Sequence, residues 1–208
     1  MLTKSKESVS TTLSSARASA ARPRSQATPD EALMGRVAEG DRLAMEVLYA
    51  RHHVRVFRFV LRLIGDEALA EDLATEVFLD VWRHADRFEG RSAVSTWMLG
   101  IARFKALSAR RRRAVELLDE EIAKTIEDPA DDPAIVLEKN DTSRVIRNCL
   151  KRLAPHHREI IDLAYYHEKS LEEVAAIVGI PKNTVKTRML RARMRLAGLL
   201  RDAGIGRE

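Results

Sequence analysis

The chain has 208 residues, 45% of them hydrophobic and 32% charged, with a formal net charge of +5. That apolar supply is ample for packed cores, and the length suits two small domains better than one large one. Cys149 is the only cysteine, which excludes an intramolecular disulfide and a cysteine-rich zinc site. With no apolar run of membrane-spanning length and no signal-peptide core, a soluble cytoplasmic protein without a membrane partner is expected.

Residues 1–28 are rich in Ser, Thr, Ala and Arg, with Glu7 as their one acid. Such a composition cannot bury enough surface to offset chain entropy, so a disordered basic leader is expected. An organelle transit peptide has a similar acid-poor composition, but the apolar residues here are too sparse for an amphipathic face.

Helical periodicity begins at Pro29 or Asp30. Asp30 to Glu39 carries Leu33, Met34 and Val37 on one side, and Gly40-Asp41 ends that helix and caps the next. The second helix is predicted over Arg42 to Ile64, with Leu43, Val47, Leu48, Val54, Phe57, Val60, Leu61 and Ile64 as its apolar positions. Gly65-Asp66 closes it. The third runs from Glu67 to about Ala85 with Leu69, Leu73, Val77, Val81 and Trp82 inward, and Glu71, Asp72, Glu76 and Asp80 form an acidic ridge outward. Taken alone, such a ridge is an ordinary solvated face.

Phe88-Glu89-Gly90-Arg91-Ser92 reads as a loop. A fourth helix is predicted from Ser95 to about Arg113, with Trp97, Met98, Ile101 and Leu107 spaced for burial. It carries Arg103 and Lys105 and ends in Arg110, Arg111, Arg112 and Arg113. Trp97 keeps the apolar period and is expected in the core. Aromatic and cationic residues in company, as with Trp97 and Phe104 here, also suit stacking on unpaired bases. Residues 114–140 then switch to acids, among them Asp119, Glu120, Glu121, Asp131 and Asp132, with Pro129 and Pro133 as breakers, and read as an acidic flexible linker.

A last domain is expected over 141–202, followed by a tail at 203–208. Thr142 to Leu153 forms one helix, with Cys149 as a buried inert thiol on its apolar face, and Pro155 opens another through Tyr166. Ser170 and Glu173 make a capping box, Leu171, Val174, Ala175 and Val178 share one face, and Gly179 ends this short helix. Pro181 suits the first turn of the next helix. There Val185, Met189, Ala192, Leu196 and Leu199 form an apolar stripe, while Lys182, Lys186, Arg188, Arg191, Arg193 and Arg195 take the other faces. No carboxylate falls between Glu173 and Asp202, and an unneutralised basic face calls for a polyanion. Two helices joined by so tight a turn read as a helix-turn-helix, which puts Lys182, Asn183, Thr184 and Lys186 first into a DNA major groove. Asn183 is equally suited to cap the helix.

No catalytic, cofactor or metal site is expected. Gly204-Ile205-Gly206 lacks the helix that a phosphate loop needs. The pairs His52-His53 and His156-His157 point to different helix faces, which does not suit a shared metal ion. No serine or cysteine is accompanied by a base and an orienting acid.

Three blocks, EDLATEVFLDVWR, FEGRSAVSTWMLGIARFKALSARRRR and LAPHHREIIDLAYYHEKSLEEVAAIVGIPKNTVKTRMLRARMRL, resemble in order and spacing the extracytoplasmic-function (ECF) sigma factors of bacterial RNA polymerase. The resemblance implies an all-α protein of two small helical domains, region 2 at 29–113 and a region 4 helix-turn-helix at 141–202. Its expected partners are the core polymerase (beta-prime clamp helices and beta flap), single- and double-stranded promoter DNA, and an anti-sigma factor. The ridge of Glu71, Asp72, Glu76 and Asp80 would meet the clamp helices. Phe88, Gly90, Arg91, Ser92 and Ser95 would receive the melted minus-ten strand, a flipped base entering the loop, with Arg103, Lys105, Arg110 and Arg111 on its phosphates. Lys182, Asn183, Thr184, Lys186, Thr187, Arg188 and Arg191 would meet the minus-thirty-five duplex. Thr75, where glutamine is common, and Phe104 and Ser108 depart from the family pattern, as does Pro181 at a position where serine is common. A stand-alone helix-turn-helix regulator is the alternative, and it would need dimerisation to gain affinity.

Overall fold

The computed structural model describes residues 28–119 and 141–205. Residues 1–27, 120–140 and 206–208, which hold most of the expected leader and linker and the end of the tail, lie outside the described residues. The described chain is all-α. Its first half comprises α1 (Asp30–Ala38), α2 (Arg42–Ile64), α3 (Glu67–His84), a 3-10 turn at Ala85–Arg87 and α4 (Val94–Asp119). The second comprises α5 (Asp141–Lys151), α6 (Pro155–Ile161), a single π-helical turn at Asp162–Tyr166, α7 (Leu171–Val178) and α8 (Lys182–Asp202).

The helix boundaries follow from local chemistry. Asp41 accepts from the Ala44 N–H and Asp66 from the Leu69 N–H, each satisfying a donor that the opening turn leaves unpaired, at about 1 kcal/mol per cap. Gly65 and Gly179 close α2 and α7 at φ 80° and 73°, a left-handed conformation that costs glycine little. One end differs from the expectation. The chain stays helical beyond Arg113 to Asp119, six residues into the stretch read as linker, because Ala114 to Asp119 contains no glycine or proline to stop it.

In the first half α2 packs on α3 and α4, and α1 lies across α2 and the 3-10 turn. The face that α2 buries includes Leu48 and Val60 of the predicted set, with Phe57, Leu61 and Ile64 partly buried against it, but not all of that set. Ala44, Leu48, His52, Val56, Phe59 and Val60 are inside, whereas Leu43 and Val54 are 67% and 53% exposed. His52, a polar residue, sits in the middle of the buried stripe, where its Nε2 meets Asp30 of α1 at 2.7 Å, a pairing that hydrophobic periodicity cannot show. Burial works to raise the Asp30 carboxyl, but the hydrogen bonds from Arg51 and His52 prevail and leave it below the ordinary aspartate range. On α3 the buried set is Ala70, Leu73, Ala74, Val77, Phe78 and Val81, with Leu69 and Trp82 partly covered. On α4, Met98 is inside with Val94, Leu99, Ala102 and Ala106, and Trp97 is half-buried.

In the second half α8 packs against α5, α6 and α7. Val185, Met189, Ala192 and Leu199 are buried and Leu196 is half-buried, as the period predicts. Cys149 is a buried free thiol whose Sγ donates to the Leu199 carbonyl at 3.4 Å. The two halves meet where α7 lies on α4, and their buried side chains form one continuous cluster.

Candidate nucleic-acid interface

The helix-turn-helix is built as its residues dictate. Ser170 and Glu173 form the full capping box that starts α7, and Gly179 and Ile180 return their N–H groups to the Ala175 carbonyl, which turns the chain sharply into α8. Pro181 takes the N-cap position itself, one residue before the first turn where it was expected. Asn183 therefore lies inside α8 and does not cap it, which leaves its exposed side chain for contact. Lys182, Lys186, Thr187 and Arg191 are exposed beside it, and Thr184 and Arg188 are half-buried. Lys182 is paired with Glu172 of α7, so the foot of the helix is braced by an ion pair across the turn. His157, on α6, reports the field of this surface: burial first, then the positive charges of His156, Arg188 and Arg191, hold its imidazole below the ordinary histidine range.

The acidic ridge stands on the outer face of α3, but its members differ. Glu71 meets His53 at 3.0 Å, and Glu76 and Asp80 share Lys105 of α4 at 3.1 and 2.8 Å. Asp72 and Thr75 are exposed between them. The structure thus brings Lys105, predicted for the strand, together with two acids predicted for the clamp. Burial lowers the Lys105 ammonium, and the hydrogen bonds it donates to Asp80 and Glu76 more than reverse this.

The predicted strand-binding loop lies between α3 and α4. Gly90 adopts φ 67°, Arg91 pairs with Glu89, and the Phe88 ring lies 5.5 Å from that of Trp97. Along α4, Arg110 and Arg111 are exposed and Phe104 is 71% exposed, a large apolar ring in water next to Arg103 and Lys105.

Ser95 and Arg103 are already engaged by the second half. Arg103 Nε donates to Glu159 Oε1 at 2.6 Å, Thr96 Oγ1 to Glu173 Oε1 at 2.5 Å, and Lys169 Nζ to Ser95 Oγ at 2.6 Å. Nearby, Arg62 pairs with Asp162 and lies 4.0 Å over the Tyr166 ring, while Arg58 donates to the Tyr166 hydroxyl at 2.7 Å. Burial pushes the Glu173 carboxyl up, but the hydrogen bonds from Thr96, the Ser170 backbone, Lys169 and the Ser170 hydroxyl together hold it at about 2. Sequence reasoning assigned Glu173 to the capping box alone and gave Glu159 and Lys169 no role; the i,i+4 spacing of Lys169 and Glu173 could have marked that pair, whereas the bonds from Arg103 to Glu159 and from Lys169 to Ser95 cross more than fifty residues and no local pattern marks them.

Residues 48–115 match the Sigma-70 region 2 family and residues 143–196 match the Sigma-70, region 4 family. The RNA polymerase sigma factor CarQ of Myxococcus xanthus is 34% identical over 170 residues, 80% of this chain and 95% of CarQ. The ECF RNA polymerase sigma factor SigK of Mycobacterium tuberculosis (strain ATCC 25618 / H37Rv) is 31% identical over 162 residues, 76% of this chain and 87% of SigK. The chain belongs to the extracytoplasmic-function sigma factors. Among solved structures, the sigma factor RpoE in complex with the anti-sigma factor NepR from Bartonella quintana is similar at a TM-score of 0.65 and 30% identity, over 75% of this chain and 96% of RpoE. CnrH, solved in complex with the cytosolic domain of CnrY, gives a TM-score of 0.59 at 25% identity over 83% of this chain and 97% of CnrH.

Proposed function

We propose that this sigma factor directs core RNA polymerase to a defined set of promoters and helps to open them, with residues 29–113 as the region 2 module and 141–202 as the region 4 module. The observation that carries this reading is the presence of both Sigma-70 regions on one chain, the second with a helix-turn-helix braced by the Lys182–Glu172 pair and a basic helix that carries no carboxylate before Asp202. A stand-alone regulator has no use for a first module with an acidic ridge beside an aromatic and basic helix.

Each surface then has a role that its chemistry suits. The ridge of Glu71, Asp72, Glu76 and Asp80 meets the polymerase clamp helices. The loop from Phe88 to Ser92 takes an unpaired base, and the roughly few kcal/mol that flipping costs are offset by a formed pocket and by cations on the phosphates. Arg110 and Arg111 are among those cations, with Arg103 and Lys105 once their carboxylate partners release them. Residues 182–191 of α8 enter the major groove of the upstream duplex, where phosphate contacts set position and Asn183 reaches a base edge.

On this reading the chemistry is the polymerase's. No helix among the described residues is long and apolar enough to cross a membrane. The likeness to RpoE, a sigma factor solved with the anti-sigma factor NepR, supports an anti-sigma factor as a further partner.

The test is reconstituted transcription. Core polymerase plus this protein should initiate at promoters mapped in the native cell where core alone does not. Equal initiation by core alone, or footprinting of the duplex by the isolated protein at physiological salt, would refute the reading.

A further inference from the structure

The opening turns of α4 are covered on almost every side. From Val94 to Ala109 each residue is buried or half-buried except Phe104, which is 71% exposed. A single apolar side chain in water is ordinary on a protein surface, but the setting of this one is not. On one side of it Arg103 is held by Glu159 at 2.6 Å, and on the other Lys105 is held by Asp80 and Glu76 at 2.8 and 3.1 Å. Trp97, Gly100, Phe104 and Arg111 recur at intervals of three, four and seven residues and so share one face of the helix. The Trp97 and Phe104 positions are about 10 Å apart along the axis, and the exposed Arg111 follows about 10 Å further on. Between the two aromatic residues stands Gly100, where an added Cβ would meet nothing within 4 Å. Glycine weakens a helix interior, and nothing in the packing requires it there. The face thus has an aromatic residue at each end of a stretch of bare backbone and a guanidinium beyond, and its Trp97 end adjoins Phe88, 5.5 Å away between ring centroids.

An exposed aromatic ring set among cations suits unpaired nucleic acid, because every base has a π-face to stack and every phosphate a charge to place. This inference rests on the promoter reading above, in which the loop from Phe88 to Ser92 takes one flipped base. We propose that Phe104 is a second and separate base site, its ring stacking on another unpaired base of the same strand about three nucleotides from the flipped one. The interval follows from the helix, since about 10 Å of axis matches three steps of about 3.4 Å along a strand. Stacking is largely indifferent to base identity, so this site adds affinity for opened DNA rather than sequence preference. It also favours opening, because the ring reaches the base only after its pair is broken and a ligand of one state shifts the balance toward that state.

The test uses holoenzyme reconstituted from core polymerase and the full chain, with a fragment of a promoter mapped in the native cell and left single-stranded across the minus-ten element as probe. Phe104→Leu is the discriminating variant, because leucine keeps an apolar side chain and the helix but removes the π-face. It should bind the probe about ten-fold more weakly, while Phe104→Trp binds at least as tightly as the unsubstituted protein and all three associate equally with core. An abasic site moved along the unpaired strand then locates the stacked base. At one position, about three nucleotides from the flipped base, it should cost the unsubstituted holoenzyme about ten-fold and the Phe104→Leu holoenzyme nothing further, as removal of either half of one contact does. Equal binding by Phe104→Leu, or an abasic penalty that is the same in both proteins at every position, overturns the inference. Weaker association of Phe104→Leu with core also overturns it, because the ring then meets protein. If the unsubstituted holoenzyme binds the probe no better than core alone, the promoter reading fails and this site with it; preferential binding that Phe104→Leu leaves unaltered refutes the site alone.

Discussion

Lys105 Nζ lies 2.8 Å from Asp80 Oδ2, so a base on the strand-facing helix and an acid on the clamp-facing helix hold each other across the α3–α4 seam. With Glu76 at 3.1 Å the ammonium answers two carboxylates, and its proton is held more tightly than that of a free lysine. The sign follows: this stabilisation is complete below the ordinary lysine value and is lost as pH rises through the raised one, so it is constant across the physiological range. Lys105→Ala is expected to cost about 1 kcal/mol, since the acids are partly exposed and partly screened. Urea unfolding at neutral pH measures it, and Lys105→Glu, which sets three carboxylates together, should cost more than the alanine.

Asp72 is the acid of the ridge to alter for the polymerase contact, because it is exposed and its removal leaves the His53–Glu71 and Lys105 pairs in place. Asp72→Arg is expected to weaken binding to core polymerase about ten-fold, as charge reversal at a complementary interface does, with unfolding unchanged. Adding Glu76→Lys should weaken it further and also lower stability, because that change places a second ammonium beside Lys105. Co-purification with core and a binding titration check both. Undiminished binding by Asp72→Arg would remove the ridge from the interface.

Much of this was legible in the sequence because it is local. A capping box spans three residues, a left-handed glycine marks its own helix end, and the apolar stripe of α8 recurs within a few turns, so Ser170–Glu173, Gly179 and Val185–Met189–Ala192 follow from spacing. The inward face of α2 was legible only in part: Leu48 and Val60 follow from the period, but His52 sits in the buried stripe beside a partner twenty-two positions away, and apolarity alone counted Leu43 and Val54 inward. The ties on Ser95, Arg103 and Lys105 were hidden for the same reason. A charged residue on a helix face announces its charge, but which carboxylate answers it is decided by the packing of distant elements.

Lys186 and Arg188 lie on α8 where a duplex would pass. Each, replaced by alanine, is expected to weaken duplex binding at every sequence tested and to reduce the slope of log K against log salt by about 0.9 for each phosphate left unneutralised. Asn183→Ala should behave differently, with an unchanged slope and relaxed preference at one base pair, since an amide carries no charge. Titrations of the promoter-bound holoenzyme at several salt concentrations measure both quantities, and an unaltered slope for Lys186→Ala and Arg188→Ala would take them off the DNA.

His157 turns the same surface into a pH-dependent one. Burial and the nearby His156, Arg188 and Arg191 disfavour its protonated form in the free protein, so as pH falls through the ordinary histidine value toward the lowered one the fold loses a little stability. A bound duplex reverses the field, because phosphates that neutralise Arg188 and Arg191 remove the repulsion and add attraction for an imidazolium. Complex formation should therefore take up a proton, and duplex affinity should rise between pH 7 and about pH 6. The gain is bounded by the size of the shift, since each unit of pKa recovered is worth about 1.4 kcal/mol, or ten-fold in affinity. His157→Gln keeps a polar side chain of similar reach without the titration, and should flatten the pH dependence while leaving affinity at pH 7.5 within about two-fold of the unsubstituted protein. If the variant keeps the full pH dependence, the proton is taken up elsewhere and α6 does not sense the DNA.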